Sequence, residues 1–338
     1  MDKYKILIVD DEPDNLALLY RTLRGKYDIA KSTSPLAALE MLKQEHFNCI
    51  LSDHKMPEMD GVEFLKRSYD IAPDTMRLLV TAYTDAGILI DAINYAKIYR
   101  YIKKPYNPNE LMLIVENALE YWQLKADNTV LVNDLKELFA GTVTAIVEAL
   151  DAKDSYTLGR SRRVTFYAVK MAKALHLSET TTGKIELAGL LHDIGMIGVS
   201  DDILAKVERL TEEEYSEIKK HVHHSVRILD DIKQLGDVVE IIKYHHEFYD
   251  GTGYPYSKKG EEIPIGARII AIADAFDSMV TPKVYRQQVV PAEALAKIKA
   301  ATGTQFDPHI VECFEQILPS CLRELKELER KSISKNVQ

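Results

Sequence analysis

The chain has no excess of positive charge: 43 Lys and Arg stand against 52 Asp and Glu, a formal net charge of −9 over 338 residues. Bulk binding to nucleic acid or to an anionic membrane needs a basic footprint, so DNA is not an expected partner. The deficit leaves room for a small phosphate ligand, which needs only a local cationic site. Cysteine is scarce too. Cys49, Cys313 and Cys321 lack metal-ligand spacing and are odd in number, which reads as reduced residues of a cytoplasmic protein rather than a disulfide framework or a thiolate site. No run of 18 apolar residues occurs and no charged-then-apolar leader follows Met1, so neither a membrane span nor export is expected. No Pro-, Gly- or Ser-rich linker interrupts the chain. What is present is a globular composition, 46% apolar and 28% charged, long enough for two domains with a core each.

The first 125 residues read as an α/β doubly wound parallel sheet. Lys5-Ile6-Leu7-Ile8-Val9 is a short, β-branched run that stops at Asp10-Asp11, as a strand buried on both faces would. Cys49 to Ser52 ends at Asp53, Leu78 to Val80 at Thr81, and Tyr99 to Ile102 at Lys104-Pro105. Each polar residue falls at the carboxyl end of a strand, the edge where such sheets gather ligands. Asp10, Asp11 and Asp53 would repel one another in one crevice, and a hard cation such as Mg²⁺ removes that repulsion. Thr81 adds a hydroxyl and Lys104 a point charge, both suited to a phosphoryl group. A lone Asp after a strand is more often a helix N-cap or a solvated turn, but five residues at matching strand ends reverse those odds. The arrangement resembles a response-regulator receiver domain. The resemblance implies Asp53 as phosphoacceptor, Mg²⁺ in the crevice, a sensor histidine kinase as partner and Tyr101 as the switch aromatic. For Tyr101 a merely packed ring remains the other reading.

From Asn107 to Ala126 the spacing predicts an amphipathic helix with Leu111, Ile114, Ala118 and Tyr121 on one face. Leu131, Leu135 and Leu138 prolong the pattern past Asn128. That seam suits a homodimer through the connector helix, and a monomeric packing face fits it about as well.

The second half is organised around histidine. Six of the ten histidines fall between His192 and His246. They come as His192-Asp193, a lone His221, and His245-His246, and Asp274 follows on an apolar segment. Imidazoles beside carboxylates at the ends of apolar helices are the donors that first-row divalent metals need. A carboxylate inside an apolar run must be paired or bound to metal; an Asp274–Arg268 pair is the blander reading, weakened because six residues set them on different helix faces. His223 and His224 are expected on the surface. With Gly253-Tyr254-Pro255 and the connecting Glu247-Phe248-Tyr249-Asp250-Gly251, these motifs resemble the HD-GYP domain across roughly Gly141 to Leu318. That resemblance implies an all-α HD-superfamily helical bundle that hydrolyses cyclic di-GMP. It implies two divalent metals, iron or manganese, held by His192, Asp193, His221, His245, His246 and Asp274. Asp193 bridges and is catalytic, Lys283 and Arg286 hold the phosphates in a catalytic and substrate-binding role, and Gly253 and Tyr254 shape the substrate pocket.

Four positions depart from the family pattern, one of them Gln305, where a histidine is common in a structural turn. Arg160 stands where the first histidine ligand is usual, Tyr156 where three-metal members carry a glutamate, and Met196 where a lysine near the phosphate is usual. A guanidinium cannot ligate a cation, and a thioether cannot stabilise developing negative charge. The expected organisation is therefore a receiver domain at 1–125, a helical connector at 126–140, a metal-dependent phosphohydrolase domain at 141–330 and a flexible tail at 331–338. The expected function is a response regulator whose output hydrolyses cyclic di-GMP under control of Asp53. The alternative is a degenerate domain that binds cyclic di-GMP, or a protein, without hydrolysing it.

Overall fold

The computed structural model describes residues 4–82, 96–153, 159–206, 208–281 and 289–335. The chain divides into two compact units, Met1–Lys136 and Glu137–Gln338.

In the first unit five strands form one parallel sheet in the order β2-β1-β3-β4-β5. They are β1 (Lys5–Val9), β2 (Asp28–Ser32), β3 (Cys49–Asp53), β4 (Met76–Thr81) and β5 (Arg100–Lys103). Successive side chains of a strand point to opposite faces. Ile6 and Ile8 therefore join the core under helix α1 (Pro13–Leu23), and Leu7 and Val9 join the core under α2 (Pro35–Gln44) and α3 (Gly61–Ile71). Burial on both faces is what the continuous apolar runs predicted. The strand that sequence alone misses is β2. Its residues Asp28-Ile29-Ala30-Lys31-Ser32 lie at the sheet edge, where polar side chains are tolerated.

Helix α4 runs unbroken from Pro108 to Lys153. Its first turns bury Leu111, Ile114, Val115, Ala118 and Leu119 in the core of the first unit. Its last turns bury Val143 and Val147 in the core of the second unit. The helix predicted over Asn107 to Ala126 and the connector expected at 126–140 are parts of this one element. Leu131, Leu135 and Leu138 on its middle turns are 68%, 64% and 68% exposed.

The second unit is helical among the described residues: α5 (Arg160–Ala174), α6 (Glu179–Leu191), α7 (Asp201–Leu204), α8 (Glu212–Lys219), α9 (His221–Leu229), α10 (Gly236–Lys243), α11 (Ile265–Val280), α12 (Pro291–Ala300) and α13 (Pro308–Lys335). Helix α11 is apolar nearly all round, as a helix in the middle of a bundle must be. It packs against α5, α6, α10 and α12. Tyr167, Phe276 and Phe314 meet edge to face at its centre, with ring centroids 5.2, 6.0 and 5.1 Å apart. Full burial of one such ring stabilises the bundle by roughly 1.5–3 kcal/mol. Phe276 lies two residues beyond Asp274, so this cluster also fixes the height of that carboxylate.

Candidate metal centre

Three helix ends and one helix interior bring the centre together. His192 and Asp193 follow the last turn of α6, His221 opens α9, His245 and His246 follow α10, and Asp274 lies within α11. A Thr211–Glu214 capping box opens α8; that helix ends at its C-cap Lys220, and His221 begins a new one. Gly195 makes the first junction. A Cβ there would lie 1.9 Å from the His221 carbonyl oxygen, so only glycine lets this turn press onto α9. The Gly195 N–H donates to Ser225 Oγ at 2.8 Å, and that hydroxyl donates to the His192 carbonyl at 3.2 Å.

Three imidazoles are oriented in the same way. Nδ1 of His192, His221 and His245 lies 2.8, 2.6 and 2.6 Å from the carbonyl oxygen three residues earlier, at Gly189, Ile218 and Ile242. A carbonyl can only accept, so Nδ1 carries the hydrogen and Nε2 is left to face the interior. In all three rings Nε2 is buried; in His221 and His245 it has no hydrogen-bond partner, and in His192 it makes no well-aligned bond but faces the carboxylates of Asp193 and Asp274. A buried polar atom left unmatched is costly in a native protein unless a ligand completes it, and a backbone acceptor on the far nitrogen is the usual support of a metal-binding imidazole. Ligand atoms of Asp193, His221, His245 and His246 lie within 4.8 Å of one another, and so do those of His192, Asp193 and Asp274. Asp193 belongs to both groups. The donor set is nitrogen and carboxylate oxygen, which fits a first-row divalent ion.

Electrostatics separate the two groups. Burial, reinforced by the neighbouring imidazoles, holds His245 well below the ordinary histidine range, and burial with His221 beside it lowers His246 to about 4. Both are therefore neutral and ready to ligate. Burial alone would lower His192 as well. The carboxylates of Asp193 and Asp274, at 3.2 and 3.5 Å from its Nε2, outweigh that and raise it to about 10. Burial would raise Asp193 and Asp274, but His192 beside the first and Arg160 beside the second hold both low.

Arg160, at the start of α5, enters the second group. Its Nη2 donates to Asp274 Oδ1 at 2.6 Å, and its Nε lies 3.6 Å from Asp193 Oδ2, buried and with no acceptor of its own. Asp274 is thus ion-paired, and its partner is Arg160; Arg268 pairs with Asp307 instead. A divalent ion about 4 Å from a guanidinium would be repelled by roughly 8 kcal/mol at an effective permittivity near 20.

Around the centre, Gly253 lets the following loop double back, since a Cβ there would lie 2.2 Å from the Phe248 nitrogen. The loop then stacks Tyr254 on His246, with centroids 4.9 Å apart and planes at 23°. A cavity of about 190 Å³ opens beside it, lined by His245, His246, Phe248, Asp274, Ser278 and Gln305 among others. Lys283, Arg286 and Tyr156 lie outside the described residues. His223 is exposed as expected, whereas His224 is half-buried, its ring against Gly198 and its Nδ1 buried without a partner. Three further residues support the centre, of which Arg163 and Lys153 carry no sequence signal and Glu247 belongs to the motif after His246. Arg163 forms an ion pair with the buried Asp277 at 2.7 Å. Lys153 lines a small cavity with Arg160, Asp193 and Met196, its ammonium donating to the Ile197 and Val199 carbonyls at 2.7 and 2.9 Å. Glu247 is buried and accepts from the Tyr256 N–H at 2.6 Å.

In the first unit the carboxyl ends of the strands assemble as the sequence indicated. Lys104 Nζ bonds Asp53 Oδ1 and lies 3.3 Å from Asp10 Oδ2. Asp10 is buried and also accepts from the Glu12 N–H at 2.9 Å, while Asp11 is half-buried next to it. Thr81 is buried with its hydroxyl 3.0 Å from His54 Nδ1. The oxygen donors of Asp10, Asp11 and Asp53 suit Mg²⁺. The Tyr101 ring is 39% exposed.

Known proteins match both units. Residues 6–116 match the response regulator receiver domain, and residues 145–310 match the HD domain. The chain is 32% identical over 330 residues to the cyclic di-GMP phosphodiesterase response regulator RpfG of Xanthomonas campestris pv. campestris, covering 91% of this chain and 86% of that protein. It is 32% identical over 333 residues to a cyclic di-GMP phosphodiesterase of Thermotoga maritima, covering 91% and 89%. A 3'3'-cGAMP-specific phosphodiesterase of Vibrio cholerae is 38% identical over 172 residues, 51% of this chain and 37% of that one. No helix among the described residues is long and apolar enough to cross a membrane.

Proposed function

The chain belongs to the response regulators that join a receiver domain to an HD domain, and on that premise we propose that its output domain is a metal-dependent phosphodiesterase that hydrolyses cyclic di-GMP, controlled by phosphorylation of Asp53. One observation carries the reading: buried Nε2 atoms of His221 and His245, with no partner, converge on the ionised Asp193. Asp193, His221, His245 and His246 would hold an ion, iron or manganese. Such an ion supplies Lewis-acid charge to a phosphoryl group and acidifies a water.

The rest of the chemistry belongs to the chain. The carbonyls of Gly189, Ile218 and Ile242 fix the imidazoles, so no reorganisation accompanies substrate entry. Tyr254, stacked on His246, offers an aromatic wall to a base, and Gly253 lets that wall come close. Lys283 and Arg286 would supply charge to the phosphates. In the receiver, Asp10 and Asp11 would hold Mg²⁺, Lys104 and Thr81 would meet the phosphoryl group delivered by a sensor histidine kinase, and Tyr101 would reorient. The proposed limits are a receiver to residue 125, a connector at 126–140, the hydrolase domain at 141–330 and a tail at 331–338. Exposed Leu131, Leu135 and Leu138 support a homodimer through the connector.

The test is metal-replete full-length protein incubated with cyclic di-GMP, with and without a small-molecule phosphodonor, with 3'3'-cGAMP as a parallel substrate. Cyclic di-GMP should disappear, faster than 3'3'-cGAMP, and a chelator should stop it. Intact cyclic di-GMP in every arm would overturn the reading. Arg160 and Met196 favour a second reading, a domain that binds the dinucleotide without hydrolysing it. In that case Arg160→His with Met196→Lys should raise hydrolysis steeply from near zero.

A further inference from the structure

Resting on the metal-dependent reading above, we infer that this chain carries one metal ion in its HD domain rather than two, because the guanidinium of Arg160 occupies the second ligand group as a tethered cation. The two groups share Asp193 but differ in what faces them. Around Asp193, His221, His245 and His246 the buried Nε2 atoms of His221 and His245 have no partner, so the group lacks a positive centre. Around His192, Asp193 and Asp274 a positive centre is already present. Arg160 Nη2 donates to Asp274 Oδ1 at 2.6 Å, and its Nε lies 3.6 Å from Asp193 Oδ2. The guanidinium is charged at every accessible pH and has no lone pair to offer. It therefore satisfies the carboxylate of Asp274 and repels a second cation.

The substitution also changes what the second position can do. A metal there could ligate; Arg160 can only donate hydrogen bonds and charge. Its Nε–H is buried and has no acceptor, so one donor is left for a phosphoryl oxygen of a bound substrate. The position then orients and neutralises phosphate without a second ion, and its fork geometry matches phosphate well. Arg163 holds the next carboxylate along the same helix, Asp277, at 2.7 Å, which leaves Arg160 committed to Asp274.

The experiment counts metal per chain by mass spectrometry in full-length protein grown in iron- and manganese-supplemented medium and purified without chelator. The HD-domain ion is separated from receiver Mg²⁺ by element. Wild type should hold one equivalent of iron plus manganese, and Arg160→His should hold two. His221→Ala should hold none, whereas a two-ion centre would keep one. A wild-type count of two overturns the inference and leaves the phosphodiesterase reading intact. A count of zero in wild type overturns both. Should Arg160→His fail to fold, His221→Ala still discriminates, because Arg160 and Asp274 are untouched in it.

Discussion

Asp193→Asn is expected to abolish both metal binding and hydrolysis, lowering kcat at least about 10³-fold, or roughly 4 kcal/mol of transition-state stabilisation. Asp193 is the only residue common to the two ligand groups. The carboxylate also balances His192, whose Nε2 lies 3.2 Å away, and Arg160 at 3.6 Å. An amide keeps the shape but removes the charge, so His192 and Arg160 lose a counter-ion at the same time. The variant should fold, since Asp193 lies at a helix end rather than in the aromatic cluster around Phe276. Metal content by mass spectrometry and initial rates on cyclic di-GMP check the two losses together. Retained metal with lost activity would assign Asp193 a role other than ligand.

The second large effect belongs to the receiver. Asp53→Asn should take up no acid-labile phosphate from a small-molecule phosphodonor, and the phosphodonor should then have no influence on hydrolysis. Asp53 is the carboxylate that Lys104 engages, at the end of β3 where the β-sheet presents its ligands. Phosphate-affinity electrophoresis measures the first outcome, and a paired rate measurement the second. A phosphodonor effect that survives in Asp53→Asn would place control of the output elsewhere.

The sequence made the strand ends legible because a parallel sheet buried on both faces writes its strands as unbroken apolar runs, each stopped by a polar residue. It could not show β2, whose polar residues sit at an edge. Nor did hydrophobic spacing alone show how far α4 extends: it suggested a connector at 126–140, whereas with no helix-breaking residue there the helix runs on to Lys153. The six candidate metal ligands were legible by their order. What each does was not: the separation into a cluster with uncompensated imidazoles and one already holding a guanidinium depends on Arg160 reaching Asp274, 114 residues away. Residue type announced that Arg160 cannot ligate, and only the fold showed that it replaces charge with charge. Arg163–Asp277 and the cavity placement of Lys153 escaped notice for the same reason, because tertiary pairing leaves no periodicity. His224 was expected in solvent by helical position, and Gly198 lets the neighbouring turn cover it instead.

X-ray absorption at the metal edge of the loaded wild-type protein tests the centre most directly. A first shell of nitrogen and oxygen at roughly 2 Å, with the outer-shell scattering of about three imidazoles, is the result expected from His221, His245 and His246 around Asp193. A shell without imidazole scattering, or one containing sulfur, would contradict the account.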